Sequence, residues 1–418
     1  MIEDKRTGGV GDQTRGCHLI YFSSVPYASY AQRPHFMVAA FADSGFDSVL
    51  WIDPYPTRFP SLGDLKRIAS RGNGNTGAAT GPRHERITVL TPAALPIEPL
   101  PLSGLINGVV AWRSIRAQLS EYARDARHCV LAIGRPSKLA EWALGHVQHD
   151  SSFVDVLDNF PEFYHGLSKI SMTARLRAVC RRATNVYCSS SQLAAEIGAI
   201  RGDARLVLNG YSTDHLPAPS RADARRYIGY VGSIAEWFDW PLVRSLAMSL
   251  PDVTVRLVGP EFVERPADLP SNIEFLGVRP QAEIAGLVRE FAVGLIPFKV
   301  NDLTEAVDPI KFYEYRSMGV PIWSTEFGEM RLRGDGDGVV HVTQAADWRN
   351  LWAIVQASAV PDSETIKLFR GAVAWTKRFE AVVARSRVAD GSSAGRPGSV
   401  RAVAPVPPRS WKFFSDGN

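Results

Sequence analysis

The sequence predicts an α/β fold: two Rossmann-like, doubly wound parallel-sheet domains facing a cleft. Three observations lead there. Short apolar runs alternate with helical patterns along most of the 418 residues. The runs are apolar at nearly every position rather than at every second one, as expected for parallel strands covered on both faces by helices. The alternation also occurs twice, with a stretch lacking any period between the two series, and the length suits two cores better than one.

The first series is HLIYFS (18–23), SVLWID (48–53), ITVL (87–90), CVLAIG (129–134), FVDVLD (153–158), NVYCSS (185–190) and RLVLNG (205–210). The second is RYIGYVGS (226–233), VTVRLVG (253–259), NIEFLG (272–277), VGLIPF (293–298), VPIWST (320–325) and VVHV (339–342). Helical segments are expected near 105–126, 166–182, 239–249, 281–290 and 309–318. Between the series, GYSTDHLPAPSRADAR carries Pro217, Pro219 and no period, which marks a linker. The expected organisation is a disordered N-terminus (1–16), a first domain (17–210), a linker (211–225), a second domain (226–360), closing helices (361–389) and a Ser/Gly/Pro-rich disordered tail (390–418). RGNGNTGAATGPR (71–83) reads as a loop, and no Gly-Lys-Ser/Thr makes it a phosphate-binding P-loop.

Charge and cysteine content narrow the classes. Residues 1–215 hold 23 Lys and Arg against 19 Asp and Glu, whereas 216–418 hold 24 of each, so the whole +4 excess lies in the first half. That is too weak for a nucleic-acid footprint, and no basic stripe with interleaved aromatics occurs; it suits an anionic surface or acceptor. Cys17, Cys129, Cys180 and Cys188 have no zinc or disulfide spacing and read as reduced thiols. The polar opening MIEDKRTGGVGDQTRG and the lack of a ~20-residue apolar run predict a cytoplasmic protein.

DPIKFYEYRSMGVPIW (308–323) is the stretch with most chemistry. Asp308 suits an N-cap and Pro309 the first helical position; Gly319 and Pro321 end the helix. The helix N-terminus offers free N–H groups and a positive dipole end to a phosphate, and Lys311 adds a full charge there. Glu314, one turn on, is a carboxylate able to accept two hydrogen bonds from a vicinal diol. Together they fit a nucleoside diphosphate; at this spacing they equally fit an exposed ion pair. Gly229 and Gly232 in YIGYVGSI, and Gly277 in NIEFLG, allow close backbone approach at strand ends.

The order YVGSI, VRLVG, NIEFLGVRPQAEI, GLIPF, DPIKFYEYRSMGVPIWST resembles the donor-binding half of GT-B glycosyltransferases of the group 1 type. VYCSSSQLAAEI and VLNGYSTDHL resemble the end of their first domain and its Asn-Gly linker, and AWTKRFEAVV the closing helix that crosses back. SSVPYASYAQRPHFMVAAFADSG, VLWID and FVDVLDNFPEF are similar to a bacterial branch that builds cell-surface polysaccharides. The resemblance covers roughly 18–385 and is most specific over 293–325. It implies a nucleotide-diphosphate sugar donor of UDP or GDP type and a glycan or lipid-linked acceptor; docking of the basic first domain on the inner membrane face is a separate expectation from its charge. It implies that Glu314 binds the donor ribose, that Lys311 and Pro309 flank the diphosphate, that Gly232 and Ser233 form the donor-facing loop, and that the backbone of Val278 and Arg279 holds the base. Two departures stand out: the family's second glutamate, eight residues before Glu314, is here Ala306, with Glu305 one residue off, and Ser233 follows Gly232 where basic residues are usual.

Glycosyl transfer needs a stabilised leaving diphosphate, a task for Lys311, and in an inverting enzyme a base on the acceptor side. Asp158, ending FVDVLD, is the candidate base and Asp155 the second choice; Asp158 equally suits a helix or turn cap, and in a retaining enzyme it would bind the acceptor or donor sugar instead. No metal and no cofactor are expected: the Asp-x-Asp at 335–337 sits in a Gly-rich loop, and the histidines form no ligand pair. A non-catalytic nucleotide-sugar-binding subunit and a sugar-nucleotide 2-epimerase of the same fold are the alternatives. No Gly-x-Gly-x-x-Gly follows a first strand, and no Gly-x-Ser-x-Gly occurs, which leaves dehydrogenase and serine-hydrolase chemistry without their motifs.

Overall fold

The computed structural model describes residues 16–55, 84–98, 102–214, 216–219 and 225–387. The expectations for 1–15, for the loop 71–83, for the tail from 390 and for part of the linker lie outside these residues. The first domain runs β1 (Cys17–Phe22), α1 (Arg33–Asp43), β2 (Ser48–Ile52), β3 (Ile87–Leu90), α2 (Ser103–Val110), α3 (Arg113–Arg124), β4 (His128–Ile133), α4 (Lys138–His146), β5 (Ser151–Val156), α5 (Gly166–Arg182), β6 (Asn185–Cys188), α6 (Ser191–Gly198) and β7 (Arg205–Leu206). The second runs β8 (Tyr227–Val231), α7 (Trp240–Ser249), β9 (Val255–Val258), β10 (Ile273–Gly277), α8 (Gln281–Arg289), β11 (Phe291–Ile296), α9 (Asp302–Glu305), α10 (Ile310–Ser317), β12 (Ile322–Ser324), β13 (Val339–His341), α11 (Trp348–Ala357) and α12 (Ser363–Val373), and α13 (Trp375–Ser386) is the last helix among the described residues.

Both sheets are parallel throughout, ordered β3-β2-β1-β4-β5-β6-β7 and β10-β9-β8-β11-β12-β13. Every strand overlaps the apolar run that predicted it. The central strands β5 and β11 are buried at all six positions, which is why their sequences do not alternate. The strand order reverses between β1 and β4 and again between β8 and β11. At such switch points the loops part and leave a crevice at the carboxyl ends of the strands.

Several local expectations shift. The segment 105–126 is two helices, α2 and α3, broken at Ala111–Trp112, where Trp112 is fully buried against Tyr55 and Arg116. Gly229 does not open a ligand approach: a Cβ there would lie 2.2 Å from the Phe291 ring, so the glycine makes room for core packing. Asp155 is not available as a base. It is fully buried in β5 and gripped at two points by Arg33 of α1, Nη2 to Oδ1 at 2.8 Å and Nε to Oδ2 at 2.9 Å.

Helix α10 begins one residue later than expected, with Pro309 as its N-cap, and Asp308 is spent elsewhere. Its buried carboxylate accepts from the Asn209 N–H (2.7 Å), the Tyr313 hydroxyl (2.8 Å) and the Arg333 guanidinium (2.6 Å). The Asn209 amide donates to the Asp308 carbonyl (2.8 Å) and its side-chain oxygen accepts from Arg33 (3.2 Å). A chain of polar contacts thus runs from Asp155 in the first sheet to Arg333 in the second domain. Ala306 is buried among apolar side chains of the first domain, and the Ser191 N–H at the start of α6 donates to the buried Glu329 carboxylate. Helix α13 returns to the first domain, where Trp375 stacks on Phe36 of α1 at 5.2 Å.

Replacing Asp308 by Ala strands Arg333 and the Asn209 N–H, and breaking a buried pair of this kind costs about 3–5 kcal/mol. Urea unfolding of Asp308→Ala should show that loss, and the two domains should melt in separate transitions.

Candidate active site

At the carboxyl ends of β8, β9 and β10, three glycines form a continuous rim. Gly232 donates its N–H to Val258 O (2.8 Å), and Gly259 donates to Gly277 O (2.8 Å). A Cβ on Gly259 would lie 2.2 Å from the Gly232 carbonyl oxygen, so the strand ends close up only because no side chain intervenes. Gly232 holds φ of +142°. A Cβ on it would meet the Lys311 ammonium at 2.5 Å, so this lysine lies directly against the loop backbone.

Lys311 reaches that position from the first turn of α10, beside the switch point between β8 and β11. Its ammonium rests near the rings of Tyr230 (5.1 Å) and Phe298 (5.2 Å), and no ion pair to it is found among the described residues. Burial pulls its pKa down to about 8, and the nearby Glu314 charge offsets part of that. Glu314 is 8% exposed, and its Oε1 accepts from the Tyr211 hydroxyl at 2.9 Å. Burial pushes its carboxyl pKa up, against the Tyr211 hydrogen bond and the Lys311 charge. The reading of this pair as an exposed ion pair fails: Glu314 is out of water, and the two do not pair within 4 Å among the described contacts.

The structure therefore brings Gly232, Pro309, Lys311 and Glu314 together. Ser233 follows on the same loop, with its carbonyl accepting from Tyr230 OH at 2.7 Å. Val278 and Arg279 continue the glycine rim from Gly277 and are exposed; Arg279 lies 4.0 Å from Glu283. Asp158 stands on the other domain, half-buried just past β5. Burial, reinforced by the neighbouring Asp155 charge and opposed by Arg33, lifts its pKa to about 7. A carboxyl at that pKa can take or give a proton near neutrality.

Glu305 does not fill the place of Ala306, since Arg331 holds it in a two-point ion pair. The Asp-x-Asp at 335–337 closes its own turn, Asp337 Oδ2 accepting from the Gly334 N–H at 3.1 Å. No group of three His, Cys, Asp or Glu side chains suited to a metal ion occurs among the described residues. Sequence reasoning missed Tyr211, Asn209 and Arg333. Asn209 had a signal in the Asn-Gly pair; Tyr211 and Arg333 had none, because their partners lie 103 and 25 residues away.

The architecture is that of GT-B glycosyltransferases. Solved structures similar to this chain include HepE of Anabaena, determined with UDP and glucose (15% identity, TM-score 0.54, 89% of this chain and 95% of that one). Sucrose-phosphate synthase of Thermosynechococcus elongatus is similar at 14% identity and TM-score 0.58, over 89% of this chain and 97% of that one. The lipopolysaccharide outer core galactosyltransferase WaaB is similar at 13% identity and TM-score 0.53, over 89% and 100%. In sequence, 174 residues are 25% identical to TuaH of Bacillus subtilis (strain 168), a glycosyltransferase provisionally assigned to teichuronic acid biosynthesis. That stretch is 38% of this chain and 44% of the relative's length. No family model matches the chain.

A half-buried lysine at a helix N-terminus suits an anion such as a diphosphate, which needs the lysine charged. Above about pH 8, where burial leaves Lys311 largely neutral, a bound anion draws in a proton. Pyrophosphate affinity should therefore fall as pH rises through about 8, and calorimetry in buffers of different ionisation heat should report proton uptake. Lys311→Met should weaken binding and remove this pH dependence. Gly232→Ala, which puts a methyl where the ammonium lies, should weaken pyrophosphate binding roughly tenfold, about 1.4 kcal/mol.

Proposed function

We propose that this protein is a glycosyltransferase that moves a sugar from a UDP- or GDP-type donor to a glycan acceptor carried on a lipid, in the building of cell-envelope polysaccharide. The observation that carries the reading is the placement of Lys311 and Glu314 on α10, against the Gly232 loop at the switch point of the second domain. The donor diphosphate lies at the start of α10, between Pro309, Lys311 and the Gly232–Ser233 loop. Its ribose diol replaces Tyr211 as the partner of Glu314. Its base lies along the backbone of Val278 and Arg279. The ligands of HepE and the assignment of TuaH support a nucleotide-sugar donor and a surface polysaccharide.

In the reaction, the acceptor hydroxyl oxygen forms a bond to the anomeric carbon as the bond from that carbon to the diphosphate oxygen breaks. Charge develops on the leaving diphosphate, where Lys311 and the positive end of α10 stabilise it. That counter-charge supports a metal-independent transfer. Asp158, facing the crevice from the first domain, takes the acceptor proton. The reading places the protein in the cytoplasm, at the membrane surface that bears the acceptor.

One observation favours a second reading, a nucleotide-sugar-binding subunit without turnover. Ala306 is buried against the first domain, and Glu305 is held by Arg331, so the position of the family's second glutamate presents no carboxylate.

Calorimetry with UDP, GDP and dTDP tests the donor site. One nucleotide should bind, and Lys311→Ala and Glu314→Ala should each weaken it roughly tenfold or more, about 1.4 kcal/mol. Binding by none, or unchanged binding by both variants, overturns the reading. Release of nucleoside diphosphate only when acceptor is present separates transfer from epimerisation, and binding without release supports the subunit reading. With Asp158 as base, kcat/KM should rise as pH passes through about 7. Asp158→Asn should cut kcat by about 10²–10⁴.

A further inference from the structure

Helix α2 is built inside out. Its inward positions are Ser103 and Asn107, both fully buried, and the Asn107 side chain clamps Leu95, accepting from its N–H (2.7 Å) and donating to its carbonyl (3.2 Å). Its outward positions are Leu105, Ile106, Val109 and Val110, at 70%, 45%, 82% and 66% exposure, and the helix carries no charge. A surface helix in water ordinarily presents the reverse pattern. Leu102, just before it, is 69% exposed and has φ of +62°, a left-handed conformation that leucine rarely adopts. Glycine or asparagine would meet that backbone with less strain, so an exposed leucine there is a costly choice for a face that meets only water.

A second exposed stripe lies on α5. Leu167, Ile170, Ala174, Arg177 and Arg181 follow one another at helical spacing and are all exposed, apolar at the start and cationic further along. The exposed Phe163 precedes them. The helix contains five Lys and Arg and no acidic residue. Helix α4 bridges the two: the Lys138 methylenes lie against Gly104 of α2, and α4 packs on α5. Glu98 ties the region rigidly, accepting from Lys138 N–H (2.6 Å), Arg175 (2.7 Å) and Tyr55 OH (2.7 Å). The starts of α2, α4 and α5 all lie at the carboxyl edge of the first sheet, the edge that carries Asp158.

We infer that the outer faces of α2 and α5 form a docking surface for an anionic lipid bilayer. Leucine, valine and isoleucine side chains enter the headgroup boundary, and Arg177 and Arg181 meet the lipid phosphates. Charge complementarity selects this occupant: an uncharged apolar helix beside one bearing only cations matches a layer with a hydrocarbon interior and an anionic rim. No helix among the described residues is long and apolar enough to cross a membrane, so surface contact is the route these residues offer to a bilayer. The inference rests on the proposed lipid-borne acceptor, and it brings the crevice edge with Asp158 to the layer where that acceptor resides.

The test is co-sedimentation of the full chain with vesicles of phosphatidylcholine alone or mixed with phosphatidylglycerol. The wild type should pellet with the anionic vesicles at low salt and be released by high salt. Leu105→Glu with Val109→Glu, and separately Arg177→Glu with Arg181→Glu, should weaken vesicle binding roughly tenfold or more. Their circular dichroism, melting and nucleotide affinity should match the wild type. Failure of the wild type to pellet, or wild-type pelleting by both variants, overturns the inference. So does a dimer in light scattering that Leu105→Glu with Val109→Glu dissolves while vesicles bind no protein, since the face would then join two copies. Nucleotide affinity is measured without vesicles, so loss of the docking surface and loss of the donor-site reading are told apart.

Discussion

The carboxylate of Asp308 is the point on which the arrangement of the two domains turns. It lies at the base of α10, takes three donors, and one of them is the backbone of Asn209 at the end of the first domain. A buried carboxylate left short of partners is expensive, so each donor is held in place by the need to satisfy it. The amide of Asn209 extends the tie to Arg33, and Arg33 to Asp155 inside the first sheet. The start of α10, where Lys311 projects, is thereby referenced to the framework of both domains.

The same burial that fixes these residues sets their chemistry. Lys311 and Glu314 are near enough to feel each other's charge, yet each is turned to a different neighbour: the Gly232 loop and its aromatic floor for the lysine, Tyr211 for the glutamate. Desolvation moves both toward neutrality, the lysine downward and the carboxyl upward. Groups shifted toward neutrality cost less to keep out of water than full charges, and a ligand with opposite charge or matching donors favours their charged forms. Asp158 follows the same rule from the other domain. Proton affinity in this crevice is set by exclusion of water more than by any one pairing.

The strands were legible because parallel strands roofed by helices leave continuous apolar runs, and each run in the sequence overlaps a strand in the fold. The start of α7 was legible from Asp239, whose side chain caps it by accepting from Leu242 N–H at 3.0 Å. Asp308 looks equally like a cap, and it is not one. Two of its three partners lie 99 residues before and 25 after it, and no local rule reaches that far. Gly229 misled for a similar reason, its open side being filled by a ring from a neighbouring strand. For the candidate site, Lys311, Glu314 and Gly232 were legible from helix-start and strand-end chemistry. Tyr211 was not, because its hydroxyl meets Glu314 across 103 residues of chain. The apolar face of α2 shows a further limit: periodicity reveals a stripe without saying which side is the core.

The chain passes between the domains at two places, Gly210–Tyr211 and Val373–Ala374, and the two lie side by side. Tyr211 pairs with Ala374 as an isolated bridge and donates its N–H to Val373 O at 3.0 Å, and a Cβ on Gly210 would lie 2.6 Å from that oxygen. Since α13 belongs to the first domain's core, the second domain is an insertion whose two ends meet. Evolution or an engineer can treat residues 211–374 as a cassette, exchanged at a single joint while the acceptor half keeps its own closing helix. The same joint is one pivot rather than two, so any swing of the halves must turn about it.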